Sequence, residues 1–463
     1  MQRFLLIIIV PILVPNLGLN LSNTRDKRPG VKVTSDMKNP DLIVVIHLTA
    51  SAIHTVIGQV HSAQDIRIIG LASVKNHDFA QGTIRHRERL KSAIKQSILE
   101  AEDMANCRIN SVWLSFSTPD LQSVNSGGEV KIVNELVQAK DIVAALTQAK
   151  TKHVPDNMYL MHYTQQGIAL DGGEQMVDDA IGMQANDLMV LYHLMMMPVR
   201  GRQNLQQLLQ ECDVNVDQML FDAVSTAEYG LLPEEKYHGV CLIDIGSSTT
   251  SVCVYREEKL VYTHCFDEGS HHATLDLSML LDVTIAEAEA MKKAHASVDR
   301  NGIDSTQFIT VRRSQYNDEK TINMQELLDV TEARYLKILN SIKRDLDSAG
   351  LSDFLQQGYV ITGGGAEMRG LLPLAKKVFA NKVHKVNQHP AITAYTPYGT
   401  DDEKLRYIAS LIGERKFQTA FGTLLYSQSD AFLHSEKSSP DSLKEAPIKQ
   451  KMQQVSKLLR RFF

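Results

Sequence analysis

An α/β fold of two duplicated lobes, with a small inserted α+β unit and a terminal amphipathic helix, is what the sequence predicts on three observations. An apolar strand, a short turn and a returning apolar strand occupy residues 41–60, and the pattern recurs in Gly239–Tyr255, GVCLIDIGSSTTSVCVY. Each hairpin leads into further β and α patterns, which is how a structural duplication with little sequence identity reads. Residues 118 to about 200 interrupt that rhythm and read as a compact insert, and the last sixteen residues carry apolar side chains on one helical face.

Composition bounds the answer. At 463 residues and 43% hydrophobic content the chain can hold two to four units of about 100 to 200 residues each, which excludes a single small domain. A net charge of −5 with interleaved signs sets up no field for nucleic acid, so no nucleic-acid partner is expected. The five cysteines (Cys107, Cys212, Cys241, Cys253, Cys265) are odd in number and lack C-x-x-C spacing, which points to a reducing compartment without structural zinc.

Residues 1–36 form a hydrophobic leader and a polar segment. Phe4–Val14, FLLIIIVPILV, has the shape of a signal-peptide core, is too short to span a bilayer, and is broken by Pro11 and followed by Pro15. No small-x-small cleavage site follows, and Met37 stands just before the first strand. Three readings stay open: an upstream start that adds a non-native leader, a hydrophobic anchor, or export.

The first lobe is expected at 37–117 and 199–235. LIVVIHL and HTVIGQV make its hairpin, Ile66–Ser73 extends the sheet, Leu90, Ile94, Ile98 and Met104 mark a helix, and Ser111–Phe116 is another strand. The insert, 118–198, holds a helix from about Lys140 to Ala149 and the Met-rich strand Leu188–Met197, read as buried filling rather than a soft partner surface. Asn204–Cys212 is a helix, Gln218–Phe221 a strand and Ala223–Leu231 a short helix. In the second lobe, 236–425, helical patterns cover Leu275–Ala296 and Met324–Leu346, the strand YVIT runs into a triple glycine, and helices follow at Leu371–Phe379 and Phe417–Leu425. Residues 426–447 are polar enough to be a flexible linker.

Chemistry concentrates in two places. At Asp244, Ile245, Gly246, Ser247, Ser248 and Thr249 a carboxylate ends a buried strand and meets a Gly/Ser/Thr turn. Such a turn can aim backbone amides and hydroxyls at phosphate oxygens while the carboxylate holds magnesium through water; a plain hairpin is the alternative. Thr362, Gly363, Gly364, Gly365 and Ala366, at the end of an apolar strand, let a ligand approach the backbone, or simply make a turn.

Together these stretches resemble the actin, Hsp70 and sugar-kinase superfamily of ATP-binding proteins and, within it, the FtsA family of bacterial cell division. The resemblance rests on LIVVIHLTASAIHTVIGQV, INSVWLSFS, AVSTAEYGLLPEEKYHGVCLIDIGSSTTSVCVY, AEAEAMKK, TEARYLKILNSIKRDL, VITGGGAEMRGLLPLAKKVF and TAFGTLL. It implies an actin-like (ribonuclease H-like) duplicated two-lobed ATPase fold. Asp244, Gly246, Ser247, Ser248 and Thr249 would face the β- and γ-phosphates, with Asp244 on the magnesium of a bound ATP. Thr362, Gly363, Gly364 and Gly365 would line the adenosine, Glu332 and Arg334 would reach the base or ribose, and Gly269 and Ser270 match a paired-glycine turn. Glu228 lies where relatives place residues near the γ-phosphate, or is an exposed helix charge. The first hairpin departs from the family: an acidic residue and a Gly-Thr-like turn are replaced by His47, Thr49, Ala50 and Ala52. A histidine cannot hold magnesium-bound water as a carboxylate does, so the expectation is an ATP-binding scaffold with at most weak ATPase activity.

In the tail, 448–463, Ile448, Met452, Val455, Leu458, Leu459, Phe462 and Phe463 share one helical face, and Lys449, Lys451, Lys457, Arg460 and Arg461 fill the rest without an acidic residue. That pattern reads as a membrane-binding helix after a linker, with a core or coiled-coil helix as the alternative. The resemblance then implies a protein on the cytoplasmic face of the inner membrane at the division site. It would tether FtsZ filaments, recruit later divisome proteins, use the insert for protein contacts, and self-associate into filaments. A pilus-assembly actin-like ATP-binding protein and a sugar or acetate kinase are the competing readings. The tail argues against the first, and His47 with Ala52 against the second.

Overall fold

The computed structural model describes residues 41–432, excepting 134, 174, 301–306, 313–318, 388, 397–401, 430 and 431. The expectations for residues 1–36 and for the membrane-binding face from Ile448 to Phe463 lie outside the described residues.

The first lobe opens with β1 (Asp41–Leu48), β2 (Ala52–Ser62) and β3 (Asp65–Lys75), an antiparallel meander. Its Val and Ile side chains suit a pleated sheet buried on both faces, and Val45, Ile46, Ile53, Val56 and Ile57 are fully enclosed. A small flap, β4 (Phe79–Ala80) and β5 (Thr83–Ile84), leads into α1 (Arg87–Ala105). Leu90, Ile94, Ile98, Ala101 and Ala105 are its buried stripe. The helix carries the chain across the sheet so that β6 (Ser111–Phe116) can run parallel to β1.

The insert comprises β7 (Gln122–Lys131), α2 (Ala139–His153), β8 (Met158–Leu170), β9 (Met176–Val177) and β10 (Asp187–Pro198). Its sheet, ordered β7-β10-β8-β9, packs on α2 around a core of its own that includes Ile142, Leu146, Ile168, Leu188, Val190 and Tyr192. Met195, Met196 and Met197 are buried, as strand filling requires. The chain then returns through α3 (Val199–Gln210) and β11 (Asn215–Phe221), which lies parallel to β6, and leaves by α4 (Asp222–Gly230) and α5 (Pro233–His238).

The second lobe repeats the plan. The meander β12 (Val240–Ile245), β13 (Thr250–Arg256) and β14 (Lys259–Phe266) is followed by α6 (Ser270–Leu281), α7 (Ile285–His295), the ribbon β15 (Phe308–Arg312) and β16 (Glu319–Asn323), and α8 (Met324–Ser348). Next come β17 (Gly358–Thr362), α9 (Leu371–Phe379), β18 (Val383–Lys385), β19 (Ile392–Ala394), α10 (Asp402–Ile412) and α11 (Gln418–Tyr426). Strands run β3-β2-β1-β6-β11 in one lobe and β14-β13-β12-β17-β18 in the other, with β19 added beside β3. The first two pairings are antiparallel and the last two parallel in each, so the duplication is one of topology. No helix among the described residues is long and apolar enough to cross a membrane.

The chain leaves the first lobe through α4, returns to it between β18 and β19, which joins the first sheet, and packs α10 and α11 back on the first lobe, where α4 and α11 lie against each other. They cross where Gly422 removes the last obstacle: a Cβ there would sit 1.8 Å from the Ser225 carbonyl oxygen. Beside the crossing the Thr226 and Thr419 hydroxyls are 2.8 Å apart. Past α11, Phe432 rests on Trp113 with ring centroids 4.8 Å apart.

This crossing yields a stability prediction. Gly422→Ala must push two backbones apart and should cost about 1 to 3 kcal/mol in chemical or thermal unfolding. Gly413→Ala, whose nearest neighbour would be 3.6 Å away, serves as the mild comparison. Equal melting temperatures for the two variants would show that the crossing is slack.

Candidate functional site

The second hairpin presents its tip at the junction of the lobes. Asp244 pairs with Ser251 across the hairpin and with Thr362 of the neighbouring β17, so the carboxylate and the start of the triple glycine lie side by side at one end of adjacent strands. At the tip the Gly246 amide donates to the Thr249 carbonyl at 2.9 Å, while the Ser247, Ser248 and Thr249 amides have no acceptor among the described residues. The start of α6 braces the tip from behind, the Ser270 and His271 amides donating to the Gly246 and Ser247 carbonyls at 2.9 and 2.8 Å. The Gly269 amide donates to His272 Nδ1 at 3.1 Å. Gly269 and Ser270 thus lie directly at the hairpin, with their amides engaged in supporting it.

Across from this tip, the first lobe contributes the end of β6 and the start of α4. The Ser117 and Thr249 hydroxyls are 2.8 Å apart, which brings the two lobes into direct contact. Thr226 donates to Asp244 Oδ2 at 3.3 Å. Asp222, the first residue of α4, is 7% exposed, and its Oδ1 has no hydrogen-bond partner among the described residues.

The two carboxyls, Asp222 buried and Asp244 half-buried, are near enough for the charge of one to act on the other. Burial raises the pKa of Asp222, against the opposing effect of the Ser117 and Ser251 hydroxyls and the Ala223 amide. Burial also raises Asp244, and the charge of Asp222 raises it further, with Thr226 opposing. Acids held this way favour either a shared proton or a cation between them. An orphaned carboxylate oxygen beside a second carboxylate fits a hydrated divalent cation. Asp222, unlike Asp244, is not among the residues that the sequence predicts for the site. The available signal was an acidic residue directly after an apolar strand, at the entry to the connecting helix.

The triple glycine forms the adjoining wall. Gly363 has φ +86°, and a Cβ on it would sit 2.3 Å from Asp244 Oδ1, so a side chain is barred both sterically and conformationally. Gly364 faces open space, with nothing within 4 Å of a Cβ built on it. Tyr335 of α8 donates to the Gly365 carbonyl at 3.0 Å, and Thr362 donates to Gln418 Oε1 at 3.1 Å. Glu332 and Arg334 lie on the same helix but are spoken for. Arg334 grips Asp276 with Nε and Nη2 at 2.6 and 2.7 Å and reaches Glu268 at 3.4 Å, and Glu332 pairs with Arg300. Glu228 is neither at the carboxyl pair nor a free surface charge: it bonds Lys236 at 2.9 Å, and both side chains are largely buried.

The first hairpin is built differently. His47 and His54 pair across β1 and β2, and their rings are 5.7 Å apart. Burial, then His54, pushes His47 well below the usual imidazole range, and burial with Lys416 lowers His54 to about 4. Both rings are therefore neutral near pH 7 and add no positive charge to the site.

Comparison with known proteins fits this architecture. Residues 241–400 match the family model described as "Cell division protein FtsA", and residues 119–196 match the "SHS2 domain inserted in FTSA". The protein named "Cell division protein FtsA" in Pseudomonas aeruginosa is 25% identical over 90% of this chain and 98% of its own length. Its counterpart in Escherichia coli (strain K12) is 26% identical over 78% and 87%. Among solved structures, the "PilM-PilN type IV pilus biogenesis complex" superposes with TM-score 0.55 at 15% identity, covering 84% of this chain and 98% of that one, a likeness of fold.

The carboxyl pair sets a pH dependence with a definite sign. Groups whose folded pKa is raised favour the folded state at acid pH and lose that contribution as pH rises through the raised value. Asp222→Asn should therefore leave stability little changed near about pH 4 and raise it by on the order of 1 kcal/mol near about pH 8 in metal-free buffer. Thermal unfolding across that range checks it, and a uniform loss at every pH would contradict the shared-charge account.

Proposed function

Because the chain belongs to the FtsA family of cell-division proteins, we propose that it is a nucleotide-binding, actin-like scaffold that tethers filaments of the division protein FtsZ to the cytoplasmic membrane. Recruitment of later divisome proteins and self-association into filaments complete that role. The observation that carries the nucleotide part is the second hairpin, whose Ser247, Ser248 and Thr249 amides have no acceptor among the described residues and lie beside a carboxyl pair and an open glycine backbone.

In this reading ATP lies with its phosphates on Ser247, Ser248 and Thr249, Gly246 leaving room for them. Oriented amides and hydroxyls bind phosphate oxygens through charge-assisted hydrogen bonds. Asp244 and Asp222 hold the magnesium ion, which supplies the positive charge that the carboxyls and phosphates both lack. Adenosine runs along Thr362, Gly363, Gly364 and Gly365. Arg334 and Glu332, fixed by their ion pairs, form the wall toward α8, while Gly269 and Ser270 keep the phosphate tip in shape. Turnover is at most weak, since buried neutral His47 and His54 stand where the first hairpin would need charge.

Attachment falls to residues 448–463. Each basic residue near an anionic leaflet contributes roughly 1 kcal/mol, and each fully buried large apolar side chain about 1.5 to 3 kcal/mol before the cost of ordering the segment. Such a tail gives reversible attachment, and assembly of several copies strengthens it by avidity. The protein then works peripherally, on the cytoplasmic face of the inner membrane at the division site.

Two experiments test this. Nucleotide titration of the full chain should show saturable binding of Mg-ATP that Asp244→Ala abolishes; indistinguishable curves would remove the nucleotide site. Gly364→Ala sharpens it: stability should hold within about 0.5 kcal/mol while affinity falls roughly tenfold, because the added methyl enters the ligand's space. For the tether, the full chain should sediment with anionic liposomes and bring FtsZ polymers with it, and a version ending at Pro447 should do neither. Equal pelleting of both versions would end the tether model.

A further inference from the structure

Strand register makes the two hairpin tips equivalent residue by residue. Leu48 pairs with Ile53 and Ile245 with Thr250 as the last strand partners, so Thr49, Ala50, Ser51 and Ala52 correspond to Gly246, Ser247, Ser248 and Thr249. In both tips the first residue's amide donates to the fourth residue's carbonyl, at 3.0 and 2.9 Å. They also lie at one junction of the lobes. β1 ends beside β6, Leu48 opposite Phe116, and the next residue along β6, Ser117, meets Thr249 of the second tip.

There the likeness stops, because of one side chain. Thr49 Oγ1 accepts from the Ser51 and Ala52 amides at 3.3 and 3.0 Å and donates to the Ala52 carbonyl at 2.8 Å. Asn76 secures the closed turn, its Nδ2 donating to the Thr49 carbonyl at 2.6 Å and its amide to the Ser51 carbonyl at 3.0 Å. Of the first tip's amides only that of Ala50 lacks an acceptor among the described residues. Gly246 has no side chain to do this, so the second tip keeps three amides free.

We infer that the site grips phosphate through the second hairpin alone, with Thr49 closing the first, and so takes nucleoside diphosphates and triphosphates with nearly equal affinity. The inference rests on the nucleotide reading above. A terminal phosphate extending toward the first lobe meets a tip whose donors point inward and, behind it, two neutral histidines. It gains little there and costs little to lose. Thr49 is then a specificity residue that makes the bound state indifferent to the γ-phosphate.

Competition titrations of the full chain with Mg-ADP and Mg-ATP test this, alongside Thr49→Gly, Thr49→Ala and Thr49→Ser. The parent and Thr49→Ser, which keeps the hydroxyl, should bind the two nucleotides within about threefold of each other. Thr49→Gly frees two amides and should shift preference toward ATP by roughly tenfold, the worth of one or two charge-assisted hydrogen bonds. Thr49→Ala, which also removes the hydroxyl, should shift it the same way and serves as the test should the glycine variant fail to fold. A parent that already prefers ATP more than tenfold, or folded Gly and Ala variants with unchanged preference, would overturn the inference. Absence of binding by either nucleotide to any version would instead remove the nucleotide reading on which it stands.

Discussion

The close crossing of α4 and α11 is the contact on which the rest of the molecule depends. The outward connection between the lobes passes through it, and it is held by backbone against backbone: Gly422 lies over the Ser225 carbonyl, and Gly58 makes room for Leu424. Packing this tight leaves few alternative arrangements, because small changes in separation forfeit dispersion contacts and cannot be absorbed by rotamer changes. The crossing also reaches the site directly. Thr226 Oγ1 lies 2.9 Å from the Asp222 carbonyl, 2.8 Å from Thr419 Oγ1 and 3.3 Å from Asp244 Oδ2, so one hydroxyl sits among both helices and the phosphate hairpin. A change in the angle between the lobes must alter at least one of those distances, and with it the surroundings of Asp244.

Duplication of the fold did not bring duplication of the chemistry. Asp244 in one lobe and His47 in the other stand at equivalent hairpin positions. One is an acid that burial, and then the charge of Asp222, keeps from ionising freely; the other is an imidazole kept neutral by burial and then by His54. A histidine pair with unpartnered Nδ1 atoms in a core is a cost the fold bears rather than a stabilising feature. It is tolerable because both rings pack well, His54 edge-on to Phe417 at 5.4 Å. The first tip has thus become a structural turn, and ligand chemistry is concentrated on the second.

Much of this was legible in the sequence where the signal was local. Alternating apolar runs around short polar turns marked both hairpins, and a strand ending in three glycines marked the opposite wall, because glycine at Gly363 answers a steric need that any side chain would violate. Features depending on distant partners were not legible. Asp222 stands alone among apolar neighbours and acquires meaning only when folding brings it to Asp244. Glu228 looked like a charge for the site or the surface, and Lys236, eight residues on, captures it instead. Arg334 shows no sign in TEARY that Asp276 and Glu268 will hold its guanidinium, and Gly269 with Ser270 resembles a ligand turn although its amides serve the neighbouring hairpin.

The insert interrupts the first lobe in sequence, packs Met161, Met195 and Met197 into that lobe's core, and is fastened to the second lobe as well. β14 is the edge strand of its sheet, and its outward carbonyls are taken by side chains of the insert. Ser123 donates to Thr263 O at 2.7 Å, Asn125 to Val261 O at 3.0 Å and Gln166 to Leu260 O at 2.9 Å, while His193 Nε2 meets Thr263 Oγ1 at 2.9 Å. An open strand edge is a template for pairing with another chain, a hazard for any protein that works at high local concentration. Covering it with side chains removes the template without extending the sheet. It also joins the lobes on the far side of the helix crossing through individual hydrogen bonds, each worth about 1 kcal/mol net, rather than through a continuous strand ladder. The lobes are therefore joined both at the helix crossing and through the insert.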